Sequence, residues 1–141
     1  MNAHDTVSTE IAAQLVVPGS PSLPLVSAVR YDPCDPYAVH VQFVTGVDEV
    51  VEWTFARHLL TEGVTHQVGE GDVRVWPATA DGRAVVCLAL TSPGGRALFE
   101  FPLADVVEFL TSTYTLVPSG AESSFFDIDA ELAVLLWGEG A

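Results

Sequence analysis

Imidazoles, thiols and paired carboxylates are the groups through which this chain would do chemistry, and it carries four histidines and two cysteines in 141 residues. Imidazole is the general base best matched to neutral pH. His40 lies on the polar side of an alternating segment with Ala38 and Gln42, and Glu52 in the next segment is expected to face it across a hairpin. Such a pair is an oriented imidazole if functional and a cross-strand polar contact otherwise, the simpler reading. His4 falls in a terminal stretch, and His58 and His66 lack a Cys, Asp or Glu at metal-ligand spacing. Neither C-x-x-C nor H-E-x-x-H occurs, so no metal is expected. No G-x-S-x-G elbow presents a nucleophile, and Cys34 and Cys87 carry no local catalytic signature. Asp32, Asp35, Asp48, Asp72 and Asp81 read as turn residues rather than acid–base pairs. Gly69-Glu70-Gly71 reads as a turn, because it lacks the phosphate-loop pattern and its glutamate would repel phosphate. The expectation is a protein with no catalytic residue and no cofactor.

Aromatic residues point to binding instead. Phe43, Trp53, Phe55, Phe99 and Phe101 follow a period of two and read as core. Trp76 differs: with Val73 and Val75 inward it shares the outward face with Arg74, and Trp with Arg is a pairing enriched at protein interfaces. Trp137, at the end of the last expected helix, is a second candidate. Trp76, Arg74 and Trp137 are therefore the candidate partner-binding residues, with local packing as their alternative.

The elements that position these residues are mostly strands. Alternation from Val7 to Val17 predicts a long first strand, broken by Pro18-Gly19-Ser20-Pro21-Ser22. A theme then occurs twice, over about 25–63 and 70–113. The first copy has a short strand ending Val29-Arg30-Tyr31, strands over Tyr37 to Thr45 and Glu49 to Phe55 around a turn at Gly46-Val47-Asp48, and a helix over Ala56 to Glu62 stopped by Gly63. The second has strands from Val73, over Ala84 to Thr91 and over Arg96 to Phe101, then a helix from Pro102 to about Thr113. Pro102 suits the first helical position, and Leu103, Val106, Val107 and Leu110 form the expected buried stripe. A last helix over about 125–137, starting near Ser124 or Asp127, has the stripe Ile128, Leu132, Leu135 and Leu136. The fold class is α+β: pseudo-duplicated antiparallel sheets forming a barrel-like core with flanking helices in one domain.

Bulk properties narrow the function. Nineteen acidic residues face five arginines and no lysine, for a net charge of −14. Arg30, Arg57, Arg74, Arg83 and Arg96 are scattered singly, whereas binding nucleic acid calls for clustered cations. An anionic membrane would repel the chain too. No apolar run approaches the ~20 residues of a membrane-spanning helix. The start of the chain lacks a signal-peptide pattern, and two cysteines without a leader suit a reducing cytoplasm. Hydrophobic residues make up 49% and mean hydropathy is +0.35, high enough to suggest burial within an oligomer.

Four blocks, in order, resemble the SsgA-like family of actinomycete division proteins: Arg30-Tyr31-Asp32 with Asp35-Pro36-Tyr37-Ala38-Val39-His40, Val51 to Arg57, Gly71 to Pro77, and Phe126 to Leu132. The resemblance implies a non-enzymatic role in cell division, including sporulation septation. Some members position the tubulin-like protein FtsZ and promote its assembly, with an SsgA-like paralogue helping to localise them. It also implies a trimer of the kind seen in Whirly-type and mitochondrial guide-RNA-binding folds. A single-stranded nucleic-acid module of Whirly type is the alternative function, and this chain's charge opposes it.

Overall fold

A computed structural model describes residues 6–44 and 49–125. Eight strands form one antiparallel sheet: β1 (Val7–Leu15), β2 (Leu23–Tyr31), β3 (Ala38–Val44), β4 (Val50–Ala56), β5 (Val68–Glu70), β6 (Val73–Ala80), β7 (Arg83–Ser92) and β8 (Gly95–Pro102). Helix α1 (Arg57–Gly63) follows β4, α2 (Leu103–Leu116) follows β8, and a short α3 (Glu122–Phe125) comes next. The order β4-β3-β2-β1-β8-β7-β6-β5 makes two four-strand meanders joined along β1 and β8, each followed by a helix. That joint is brief, pairing Gln14 with Glu100 and Leu15 with Phe99.

The sheet curls. Phe43 on β3 and Phe99 on β8 are three strand spacings apart, about 14 Å if the sheet were flat. Their rings instead stack with centroids 4.0 Å apart. The concave face collects Ile11, Val29, Val41, Phe55, Leu88 and Phe101, and the helices add Leu60, Val106 and Phe109. Each such side chain contributes ~1.5–3 kcal/mol through burial. Gly63 lets α1 press onto β6, because a Cβ there would overlap the buried Val75 side chain.

One charged group lies inside this core. Arg57, in the first turn of α1, is 1% exposed. Its Nη1 donates to the carbonyls of Thr113 (3.2 Å) and Val117 (2.8 Å), at the end of α2. Its Nη2 donates to Glu122 Oε2 at 2.8 Å. The guanidinium lies 4.8 Å from the Tyr31 ring and 3.9 Å from the Tyr114 ring, so two aromatic faces stack on it. Those rings are held in turn: Tyr31 donates to the Pro36 carbonyl at 2.8 Å, and the Tyr114 and Thr61 hydroxyls meet at 2.6 Å. Arg57 thereby ties α1, the end of α2, α3 and β2 together: it gives the Thr113 carbonyl a second donor beside the Val117 N–H and binds the Val117 carbonyl just past the helix.

Several expectations need correction. Val68–Glu70 is a strand where a turn is expected, and the turn falls at Gly71 (φ 59°) and Asp72. Pro102 ends β8 with extended backbone (ψ 128°) and α2 starts at Leu103, so the proline precedes the helix. The buried stripe of α2 is Val106, Phe109, Leu110 and Thr113, whereas Val107 is 43% exposed. The larger Phe109 turns the helix onto its side and leaves Val107 outside. The turn that Ala80-Asp81-Gly82 predicts between β6 and β7 needs no correction: it falls at Asp81 (φ 51°) and Gly82 (φ 77°), whose positive φ values fit a two-residue hairpin connection. Gly46-Val47-Asp48, His4 and the expected helix beyond Phe125, with Trp137, lie outside the described residues.

The clasp makes stability depend on pH at both ends. The Arg57 guanidinium bonded to Glu122 holds that carboxyl below its usual range, so this contribution is present above the ordinary carboxylate pKa and is lost as pH falls. Burial pushes Tyr31 up to about 12, so its contribution is present below pH 10 and lost as pH rises towards 12. Urea unfolding from pH 3 to 12 is expected to show both losses, and Glu122→Gln is expected to flatten the acid limb relative to wild type. An unchanged acid limb in that variant would contradict the assignment.

Candidate functional site

The convex face of the sheet carries the exposed polar side chains, and register sorts them into rows. Across β1 to β4, one row is Ser8, Arg30, His40 and Thr54; the next is Glu10, Ala28, Gln42 and Glu52. All of these but Glu10 line a shallow groove of about 200 Å³. The residue facing His40 across the hairpin is Thr54, and Glu52 faces Gln42 instead, accepting its amide hydrogen at 2.6 Å. The expected His40–Glu52 pair is thus displaced by one alternation, because Val44 pairs with Val50 and fixes the hairpin register there.

His40 has partners on both ring nitrogens: Thr54 Oγ1 lies 3.0 Å from Nδ1 and Asp35 Oδ2 lies 3.3 Å from Nε2. Asp35 comes from the loop between β2 and β3, which Asp32 shapes by accepting from the Cys34 N–H at 2.8 Å. The line of carboxylate, imidazole and hydroxyl fixes the ring on an open surface. In chemical terms it offers a polar, mixed-charge contact patch.

Arg74 and Trp76 share the convex face of β6, opposite Ala89 and Cys87 on β7. Val73 and Val75 point inward and are buried, Arg74 is exposed and Trp76 is half-buried. Cys87 beside Trp76 is buried, and burial followed by Glu100 pushes its thiol up. Cys34 is exposed, so the two cysteines do not form a disulfide. Glu62 was not anticipated: it pairs with His58 one turn before it and lies 3.4 Å from His66 one turn after it. The i, i+4 spacing of His58, Glu62 and His66 is the signal that could have found it. Among the described residues no group of three or more His, Cys, Asp or Glu is arranged to hold a metal ion.

The positive charge left on the surface is thin. With Arg57 buried, the exposed arginines are Arg30 on β2, Arg74 on β6, Arg83 at the start of β7 and Arg96 on β8. Arg30 lies 4.0 Å from Asp32. No helix among the described residues is long and apolar enough to cross a membrane.

Comparison with known proteins places this surface in a family. The profile described as "Streptomyces sporulation and cell division protein, SsgA" matches residues 25–122. The sporulation-specific cell division protein SsgB of Frankia casuarinae is 56% identical over 135 residues, covering 96% of this chain and 94% of the relative. SsgB of Streptomyces coelicolor is 51% identical, covering 94% and 97%. The solved SsgA-like sporulation-specific cell division protein of Thermobifida fusca superimposes with a TM-score of 0.86 at 46% identity, covering 96% of this chain and 99% of that one.

Proposed function

Because this chain belongs to the SsgA family of sporulation and cell division proteins, we propose that it is a non-enzymatic division scaffold that recruits FtsZ to septum sites and promotes its assembly, including during sporulation septation. The observation that carries this reading is the similarity to SsgB proteins along almost the whole chain. The surface agrees with work done by protein contact: it is strongly acidic, its exposed arginines stand apart, and His40, His58 and His66 are engaged by neighbouring side chains. A nucleic-acid role would need a basic groove lined with aromatics, and Arg30, Arg74, Arg83 and Arg96 are not gathered into one.

In this reading the protein acts in the cytoplasm at the division septum, without inserting into the membrane, and an SsgA-like paralogue helps to place it. The curled sheet serves as the barrel-like core of a Whirly-type subunit, three of which assemble into a homotrimer. Arg74, Trp76 and Trp137 are the residues we assign to partner or subunit contact.

Purified protein is expected to increase the FtsZ recovered in the polymer pellet on sedimentation with GTP; folded protein without effect at micromolar concentration would reject the role. Light scattering is expected to return three times the 15.0 kDa chain mass, and the mass of one chain would reject the trimer.

A further inference from the structure

Seven large apolar side chains are exposed among the described residues, and five of them, Leu23, Val26, Val44, Val50 and Val51, gather at one end of the first meander. Register sets Val26, Val44 and Val50 in a single row across β2, β3 and β4 on the convex face. The adjoining row is Ala28, Gln42 and Glu52, with Glu10 beyond it on β1. An exposed apolar row beside an acidic one is unusual in a small domain and marks a contact surface.

This row ends at β4, the first edge of the sheet, which among the described residues has a strand on one side only. Sheet edges are normally guarded by shortness, proline, lysine or a bulge. The opposite edge follows that rule, since β5 is three residues long. In contrast, β4 is seven residues of Val-Val-Glu-Trp-Thr-Phe-Ala, rich in β-formers and without proline, glycine or lysine. Val50 and Val51 point to opposite faces and are 53% and 40% exposed, so this end of the strand is open on both sides. Its one charge, Glu52, points outward and selects a neighbour by charge.

We propose that the free edge of β4 is a strand-addition site for an extended segment of a partner protein, one that sets an aliphatic side chain beside Val50 and a lysine or arginine beside Glu52. Main-chain hydrogen bonds supply the attachment, and the side chains opposite Val50, Glu52 and Thr54 supply selectivity. On the concave side the same segment lays apolar residues against Val51 and the half-buried Trp53. Net charge chooses the occupant: a chain at −14 favours a basic segment. A second copy fits poorly, since it brings the same negative excess and its own β4 has no cation to place beside Glu52. The proposal rests on the reading that this protein works by holding other proteins, but its test needs no division polymer, so either can fail alone.

The probe is a short fluorescein-labelled peptide alternating valine with lysine and threonine, titrated by anisotropy against the full chain. It is expected to bind, and the same peptide with glutamate for lysine is expected to bind about five- to tenfold more weakly. Glu52→Lys should invert that preference, and Glu52→Gln should remove most of it while keeping a side chain able to bond Gln42. N-methylation at alternate peptide nitrogens distinguishes strand addition from loose contact, because one parity abolishes binding and the other preserves it. Equal binding of both methylated peptides, or indifference to Glu52→Lys in a variant with wild-type thermal unfolding, would overturn the proposal. So would concentration-dependent self-association that Val50→Lys abolishes.

Discussion

A guanidinium sealed inside the core is the constraint on which the rest of this structure depends. Desolvating such a charge costs several kcal/mol unless its donors all find acceptors. Arg57 meets that condition with two carbonyls at the end of α2, one carboxylate and two tyrosine faces. Those partners come from elements far apart in sequence, so they must arrive together. The curl of the sheet brings Tyr31 on β2 to Arg57, which directly follows β4, and α2 must end where Thr113 and Val117 present their carbonyls.

The same arrangement explains why the outer surface is available for contact. Both helices pack against the concave face, with Leu60, Val106 and Phe109 in the core, so the convex rows on β1 to β4 and the outward side of β6 keep their exposed side chains. Taking Arg57 inside, paired with the largely buried Glu122, leaves the four other arginines of the chain on the surface. The scaffold reading and the open β4 edge both draw on this division between a filled inside and an acidic, partly apolar outside.

Much of this was legible in the residues. Alternation places β1, β3, β4, β7 and β8 to within a residue or two at either end, and puts Phe43, Phe55, Phe99 and Phe101 in the core. What alternation cannot supply is register, which is why Glu52 is expected to face His40, whereas the pairing of Val44 with Val50 sets it opposite Gln42. Short edge strands are equally hard to read: in Val68-Gly69-Glu70 a glycine and a charge imitate a turn, and only pairing with β6 makes it a strand. The central arginine was hidden for another reason. Its neighbours Tyr31, Thr113, Tyr114, Val117 and Glu122 lie at long range, and nothing within a few residues of Arg57 distinguishes it from a surface cation. The outer face was legible in part: Arg74 and Trp76 share an outward face as their alternation requires, while the open edge of β4 emerges only from strand order.

The most direct test is the stability of Arg57→Lys, which keeps the charge but loses the planar fork and much of the stacking. Urea unfolding at pH 7 is expected to show a loss of about 3 kcal/mol, in the range seen when a buried ion pair is broken, together with faster amide exchange at the end of α2. Wild-type stability and exchange in that variant would mean that the guanidinium does not hold these elements together.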